Sequence, residues 1–121
     1  MASEAKEELK VRAYRFSVEV IKFTRALPSD KLDLILINQL IRSATSIGAN
    51  IIEAQAASSK KDFAKFFIIA LKSANETVYW LNLINDTMVT DKQKINKLNS
   101  EVSELAKILG ASVITLRKEL A

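Results

Sequence analysis

The chain is expected to be all-α, an antiparallel up-down-up-down four-helix bundle, on three observations. Two glycines and one proline in 121 residues are too few turn formers for a sheet protein, which needs a turn every several residues. Apolar residues recur at alternating three- and four-residue spacing along most of the chain, the period of an amphipathic helix. That period breaks only around Pro28, Ser58 and Thr90, and connections so short favour antiparallel neighbours.

The first helix is expected over residues 3–27. Ser3 is a suitable N-cap, and Glu4, Glu7 and Glu8 stand near the positive end of the helix dipole. Pro28 stops the helix because the residue before proline is pushed out of the helical region. After the Pro28-Ser29-Asp30 connection, a second helix is expected over residues 31–57. Gly48 inside it costs roughly 1 kcal/mol against alanine, so it marks a close helix–helix approach or a slight bend. Ser58-Ser59 separates this element from the next. Ser59 with Asp62 resembles a capping box opening a third helix over residues 60–85. Thr90 with Gln93 gives a similar signal for a fourth helix over residues 91–120, whose seam reads Leu98, Val102, Leu105, Leu109, Ser112 and Leu116. The whole of residues 1–121 forms a single domain, long enough to bury a core without staples.

The first helix has more apolar surface than one core needs. Leu9, Ala13, Phe16, Val20, Phe23 and Leu27 form one seam, while Val11, Tyr14, Val18 and Ile21 form a second, roughly 160° away. The third helix repeats this: Phe63, Phe67, Ala70, Ala74, Val78 and Leu81 face one way, and Ile68, Tyr79 and Leu83 nearly the other. Scattered surface apolars are normal, and two stripes can simply widen a core face. Aromatic and β-branched residues opposite a complete seam argue instead for a covered surface. We therefore expect a homo-oligomer, with Val11, Tyr14, Val18, Ile21, Ile68, Tyr79 and Leu83 at its interface.

Composition narrows the function. Neither cysteine nor histidine occurs, which excludes disulfides and thiolate metal sites and removes the commonest general base. No cofactor or small-molecule substrate is expected. The opening MASEAKEELK is not a secretory signal, and the densest apolar run, FFIIAL, is bracketed by Lys65 and Lys72, so a cytoplasmic protein without a membrane span is expected. The net charge of +4 invites a nucleic-acid reading, but the basic residues are spread along the chain without a dense tract.

The most regular polar feature is the stripe Arg42, Ser46, Asn50 and Glu53 in the second helix. At 3.6 residues per turn these four fall within about a quarter-turn, opposite an aliphatic face. It reads either as interhelical hydrogen bonds and a solvated face, or as a ligand groove. Catalysis has thin support, since only Glu53 among the four can act as a base. Ser73 and Glu76 extend the stripe onto the third helix, where Glu76 or Glu53 is expected to pair with Arg42. Removing one partner of a buried pair typically costs a few kcal/mol.

These residues resemble the 23S rRNA intervening-sequence, or S23, family of four-helix-bundle proteins. The match in the second helix is Arg42-Ser43, Ser46-Ile47, Asn50-Ile51 and Glu53; in the third it is Phe63, Phe66 or Phe67, Ile69-Ala70, Ser73 and Glu76. The first and fourth helices match in length and pattern only. Ala54 stands where the family usually has glycine, which implies a later or less sharp end to the second helix. The resemblance implies antiparallel bundles assembled as ring-like homopentamers, many encoded within insertions in bacterial large-subunit rRNA genes. A related bundle, the accessory variability protein of diversity-generating retroelements, works with a reverse transcriptase and nucleic acid.

The expected function is accordingly a non-enzymatic, self-associating scaffold that binds structured RNA or a ribonucleoprotein partner. Arg12, Arg15 and Lys22 on the first helix are the candidate phosphate contacts, diluted by Glu8 and Glu19, and Arg15–Glu19 pairing along the helix is the competing structural role. A protein–protein interaction module without a nucleic-acid role is the alternative.

Overall fold

The computed structural model describes residues 3–121, with side chains from residue 7 onward. Four helices follow one another: α1 (Ser3–Arg25), α2 (Lys31–Gln55), α3 (Lys60–Thr87) and α4 (Lys92–Leu120). Each packs on its neighbours in sequence, and α4 returns against α1 to close the bundle. The seams run through the centre as expected, with Phe16, Val20, Leu40, Ile47, Phe67, Leu81, Leu105 and Leu109 fully buried.

The ends differ from the expected boundaries by a residue or two, for local reasons. Helix α1 stops at Arg25 rather than Leu27, and its last turn tightens: the amides of Ala26 and Leu27 donate to the carbonyls of Phe23 and Thr24, both at 3.2 Å. The cap expected at Ser3, and the dipole role of Glu4, lie outside the residues whose side chains are described. Helix α2 opens on a reciprocal capping box that the spacing Asp30-x-x-Asp33 encodes. Asp30 Oδ1 accepts the Asp33 amide at 2.8 Å, and Asp33 Oδ2 accepts the Asp30 amide at 3.2 Å. It ends at Gln55, two residues before the expected limit, in a tightened turn in which the Ala56 and Ala57 amides reach Glu53 and Ala54. No described residue has positive φ, so this end carries no left-handed cap, in keeping with alanine at position 54.

Half of the expected box opens α3. Ser59 Oγ accepts the Asp62 amide at 3.1 Å, whereas the Asp62 carboxylate takes the Ser58 hydroxyl at 3.0 Å. Helix α3 runs two residues beyond Asn85 because neither proline nor glycine interrupts it, and Met88 caps it from the core. The expected Thr90–Gln93 signal is not the start of α4. Asp91 is the N-cap, taking the Lys94 amide at 3.2 Å, and Thr90 Oγ1 is buried without a partner. A carboxylate serves this position twice, as acceptor and as counter-charge to the dipole. The α4 seam also differs at its ends: Ile95 and Val113 are buried, while Ser112 is half-buried with its hydroxyl on the Ile108 carbonyl.

Helices α2 and α3 pack most extensively, then α3 with α4, then α1 with α2; α1 and α4 meet most loosely. Gly48 marks a close approach rather than a bend. A Cβ added there would lie 3.6 Å from the main-chain carbon of Ala13 on α1. At the far end of the bundle, Lys60 Nζ meets Glu119 Oε2 at 2.5 Å, and this bond holds the Glu119 carboxyl below the usual carboxylate range.

Candidate functional site

The polar stripe of α2 lies along its seam with α3. Small hydroxyl residues meet across it, with Ser43 and Thr77 fully buried and Ser46 opposite Ser73. Their hydroxyls face one another. Ser46 Oγ and Ser73 Oγ lie 2.9 Å apart, and Asn50 Nδ2 donates to the Ser46 carbonyl and hydroxyl at 2.8 and 3.0 Å. One turn away the fully buried Thr77 hydroxyl sits 2.9 Å from Ser43 Oγ and 2.8 Å from the Ser73 carbonyl, with one proton to give. Ser43 in turn donates to the Leu40 carbonyl. Buried hydroxyls are tolerated because each has a partner.

Arg42 pairs across the seam with Glu76 rather than with Glu53. The same Glu76 oxygen accepts the Trp80 indole N–H at 2.8 Å, and Arg42 Nε donates to Gln39 Oε1 at 2.9 Å. Tyr79 stands edge-on to Trp80 with ring centroids 5.0 Å apart. Glu53, the last member of the stripe, is exposed and pairs with none of the described residues. Gln39, Ser43, Thr77 and Trp80 complete the network without having been singled out as members. The signal for Trp80 was its place four residues after Glu76, a helical neighbour.

The pair is not buried as the sequence suggested: the Arg42 side chain is 57% exposed and that of Glu76 38%. Exposed pairs are screened, so an Arg42→Ala/Glu76→Ala double-mutant cycle should give a coupling of about 0.5–1 kcal/mol rather than several. Denaturation followed by the fluorescence of the single tryptophan measures it, and a coupling above about 2 kcal/mol would contradict this reading. Chemically the seam aligns two helices. Its hydroxyls bond to one another and to main-chain oxygens, and none sits beside a base able to activate it. Among the described residues no cluster of carboxylates could hold a metal ion.

The candidate nucleic-acid residues lie elsewhere, along a groove of about 1460 Å³ between α1 and α4. Arg12 crosses it, with Nε and Nη2 at 3.1 and 3.0 Å from Glu101 Oε1 on α4. Lys22 lies 4.0 Å from Glu19, so Glu19 turns to Lys22 rather than to Arg15, which has no partner among the described residues. Six carboxylates line the groove (Glu7, Glu8, Glu19, Asp91, Glu101, Glu104) against five cations (Arg12, Arg15, Lys22, Lys94, Lys97), so it offers no positive field.

Of the apolar residues expected at an interface, Val11, Tyr14 and Tyr79 are exposed, and Val18, Ile21, Ile68 and Leu83 are half-buried. Helix α2 adds Leu32, Leu34, Ile35 and Ile52 to the exposed set, which the emphasis on α1 and α3 overlooked. No helix is long and apolar enough to cross a membrane.

A profile described as 23S rRNA-intervening sequence protein matches residues 6–111. Among solved structures, a protein of unknown function from the S23 ribosomal protein family of Bacteroides thetaiotaomicron, determined at 1.70 Å, superposes with a TM-score of 0.82. It is 34% identical, and the alignment covers 89% of this chain and 96% of that one. A comparison with curated proteins finds no match.

Proposed function

Because this chain belongs to the 23S rRNA-intervening sequence protein family, we propose that it is a non-enzymatic helical scaffold that assembles with copies of itself and presents the assembled surface to a partner protein. The observation that carries this reading is the pair of aromatic rings left outside a finished core. Tyr14 on α1 is 70% exposed and Tyr79 on α3 60% exposed, each beside further apolar residues of its own helix face. Burying such rings between copies removes apolar area from water at about 25 cal/mol per Å². A closed ring of five copies, the assembly the family resemblance implies, would use unlike faces of neighbouring copies, and α1 and α3 offer two such faces.

The geometry favours protein over structured RNA as the partner. Arg12 is engaged by Glu101, Lys22 lies beside Glu19, and carboxylates outnumber cations along the groove that holds all three candidate contacts. Phosphate-driven binding needs the opposite balance. Arg15 remains the one unengaged cation of that set.

Sedimentation at micromolar concentration tests the assembly. The wild-type chain should run near five times 13.5 kDa, and Tyr14→Glu or Tyr79→Glu should shift it toward 13.5 kDa. A wild-type species of 13.5 kDa refutes self-assembly. Gel retardation of rRNA fragments at low salt should show no shift; a salt-sensitive shift lost in Arg15→Ala would restore RNA as the partner.

A further inference from the structure

The α1–α4 groove holds a second piece of information, in the order of its charges. The Arg12–Glu101 contact fixes which residues of these antiparallel helices stand opposite each other. Both rise about 1.5 Å per residue, so positions equally far from that rung, in opposite chain directions, share a level. By that register Lys22 stands opposite Asp91 and Glu19 opposite Lys94, two complementary levels. The other two are not complementary. Arg15 stands level with Leu98 and its neighbour Lys97, putting two cations together. Glu8 stands level with Leu105 and its neighbour Glu104, putting two carboxylates together. None of the Arg15, Lys97, Glu8 and Glu104 side chains has a hydrogen bond or ion pair with another described residue. Two like-charged levels facing each other across an open seam are unfavourable in isolation.

We propose that this groove docks an amphipathic helix of a partner protein that carries an acidic and a basic residue seven positions apart beside an apolar stripe. The acid would lie over Arg15 and Lys97, and the base over Glu8 and Glu104. The two levels are seven residues apart on α1, about 10 Å along the axis, which is two turns of a docked helix and leaves both partner side chains on one face. Three further features fit a helix. The walls are themselves helices and meet at the loosest seam of the bundle. The groove follows α1 from Glu7 to Phe23, about 24 Å at the helical rise, and runs on to Leu27 beyond the helix. Its floor is apolar, with Phe16, Phe23 and Leu98 beneath the charged edges. A helix laid in such a groove buries its apolar face and is selected by the charges that flank it.

The inference rests on the protein-partner reading above, but not on self-assembly. It is tested with the full chain and three fluorescein-labelled, lactam-stapled eighteen-residue helices sharing one leucine stripe and carrying Glu and Lys, Glu and Glu, or Lys and Lys at the two positions. In anisotropy titrations the Glu/Lys helix should bind about tenfold more tightly than either of the others, the scale expected when one partly exposed contact turns from attraction to repulsion. Arg15→Glu with Lys97→Glu makes both levels acidic, and the preference should move to the Lys/Lys helix. Glu8→Lys with Glu104→Lys provides the mirror case should the first variant fold poorly. Equal binding of the three helices, or binding by none, overturns the proposal. So does a groove already filled by a second copy, seen as peptide exclusion that disappears when the oligomer is dissociated. A 13.5 kDa wild-type species would refute the assembly alone and leave these titrations to decide the groove.

Discussion

Replacing Phe67 with alanine should destabilise the protein by about 3–5 kcal/mol, near the upper end of that range. Its side chain is 1% exposed and stacks on Phe63 with ring centroids 4.7 Å apart. It also sits in α3, which makes the two most extensive helix pairings of the bundle, so its surroundings have little freedom to collapse into the void. Phe16→Ala removes the same ring from a site that is equally buried, at 2% exposure, but that forms the floor of the α1–α4 groove. There the walls can close in or water can enter, and the loss should fall toward 3 kcal/mol or below. Urea denaturation of both variants measures the contrast. Equal losses would mean that the α1–α4 seam is as rigid as the rest of the bundle, and would count against an adaptable groove.

Gly48 should show a change of sign with side-chain size. An alanine Cβ would stand 3.6–3.7 Å from Ala13, ordinary van der Waals contact, and would recover roughly 1 kcal/mol of helix propensity. Gly48→Ala should therefore raise Tm by about 4 °C, given the entropy of unfolding of a domain of this size. Gly48→Leu sets a branched side chain against the Ala13 backbone of α1, and overpacking of this kind costs about 1–3 kcal/mol. Thermal melts of the two variants decide the point. A stabilising leucine would show that α1 and α2 are not held together at this position.

How much was legible in the sequence follows from the range of each interaction. The helices were legible because the apolar period is local and runs through the whole chain; their ends were not, to within two residues. At the start of α4, Thr90 and Asp91 both offer an acceptor, and only the path of the loop decides that Asp91 caps and Thr90 is enclosed. The polar stripe was legible as a stripe, since Arg42, Ser46 and Asn50 lie one turn apart. Its meaning was not, because whether Glu76 meets Arg42 depends on the register between α2 and α3, while Glu53 stands about 16 Å further along the same helix, out of reach. The same holds for Arg12: its own helix offers Glu8 as a near neighbour, but its partner is Glu101, 89 residues away.

From its sequence alone the chain was determined to be an all-α bundle of four helices, and its family motif was already present in residues 42–76 except for alanine at position 54. Both rest on i, i+3 and i, i+4 relations, which any helix imposes wherever it sits. The tertiary structure alone decided which charges meet, which hydroxyls are shared, and which seam is loose. Those outcomes depend on how far one helix slides along another. Close packing of small residues settles that for α2 against α3 and for Gly48 against Ala13, whereas between the looser α1 and α4 the Arg12–Glu101 contact sets it.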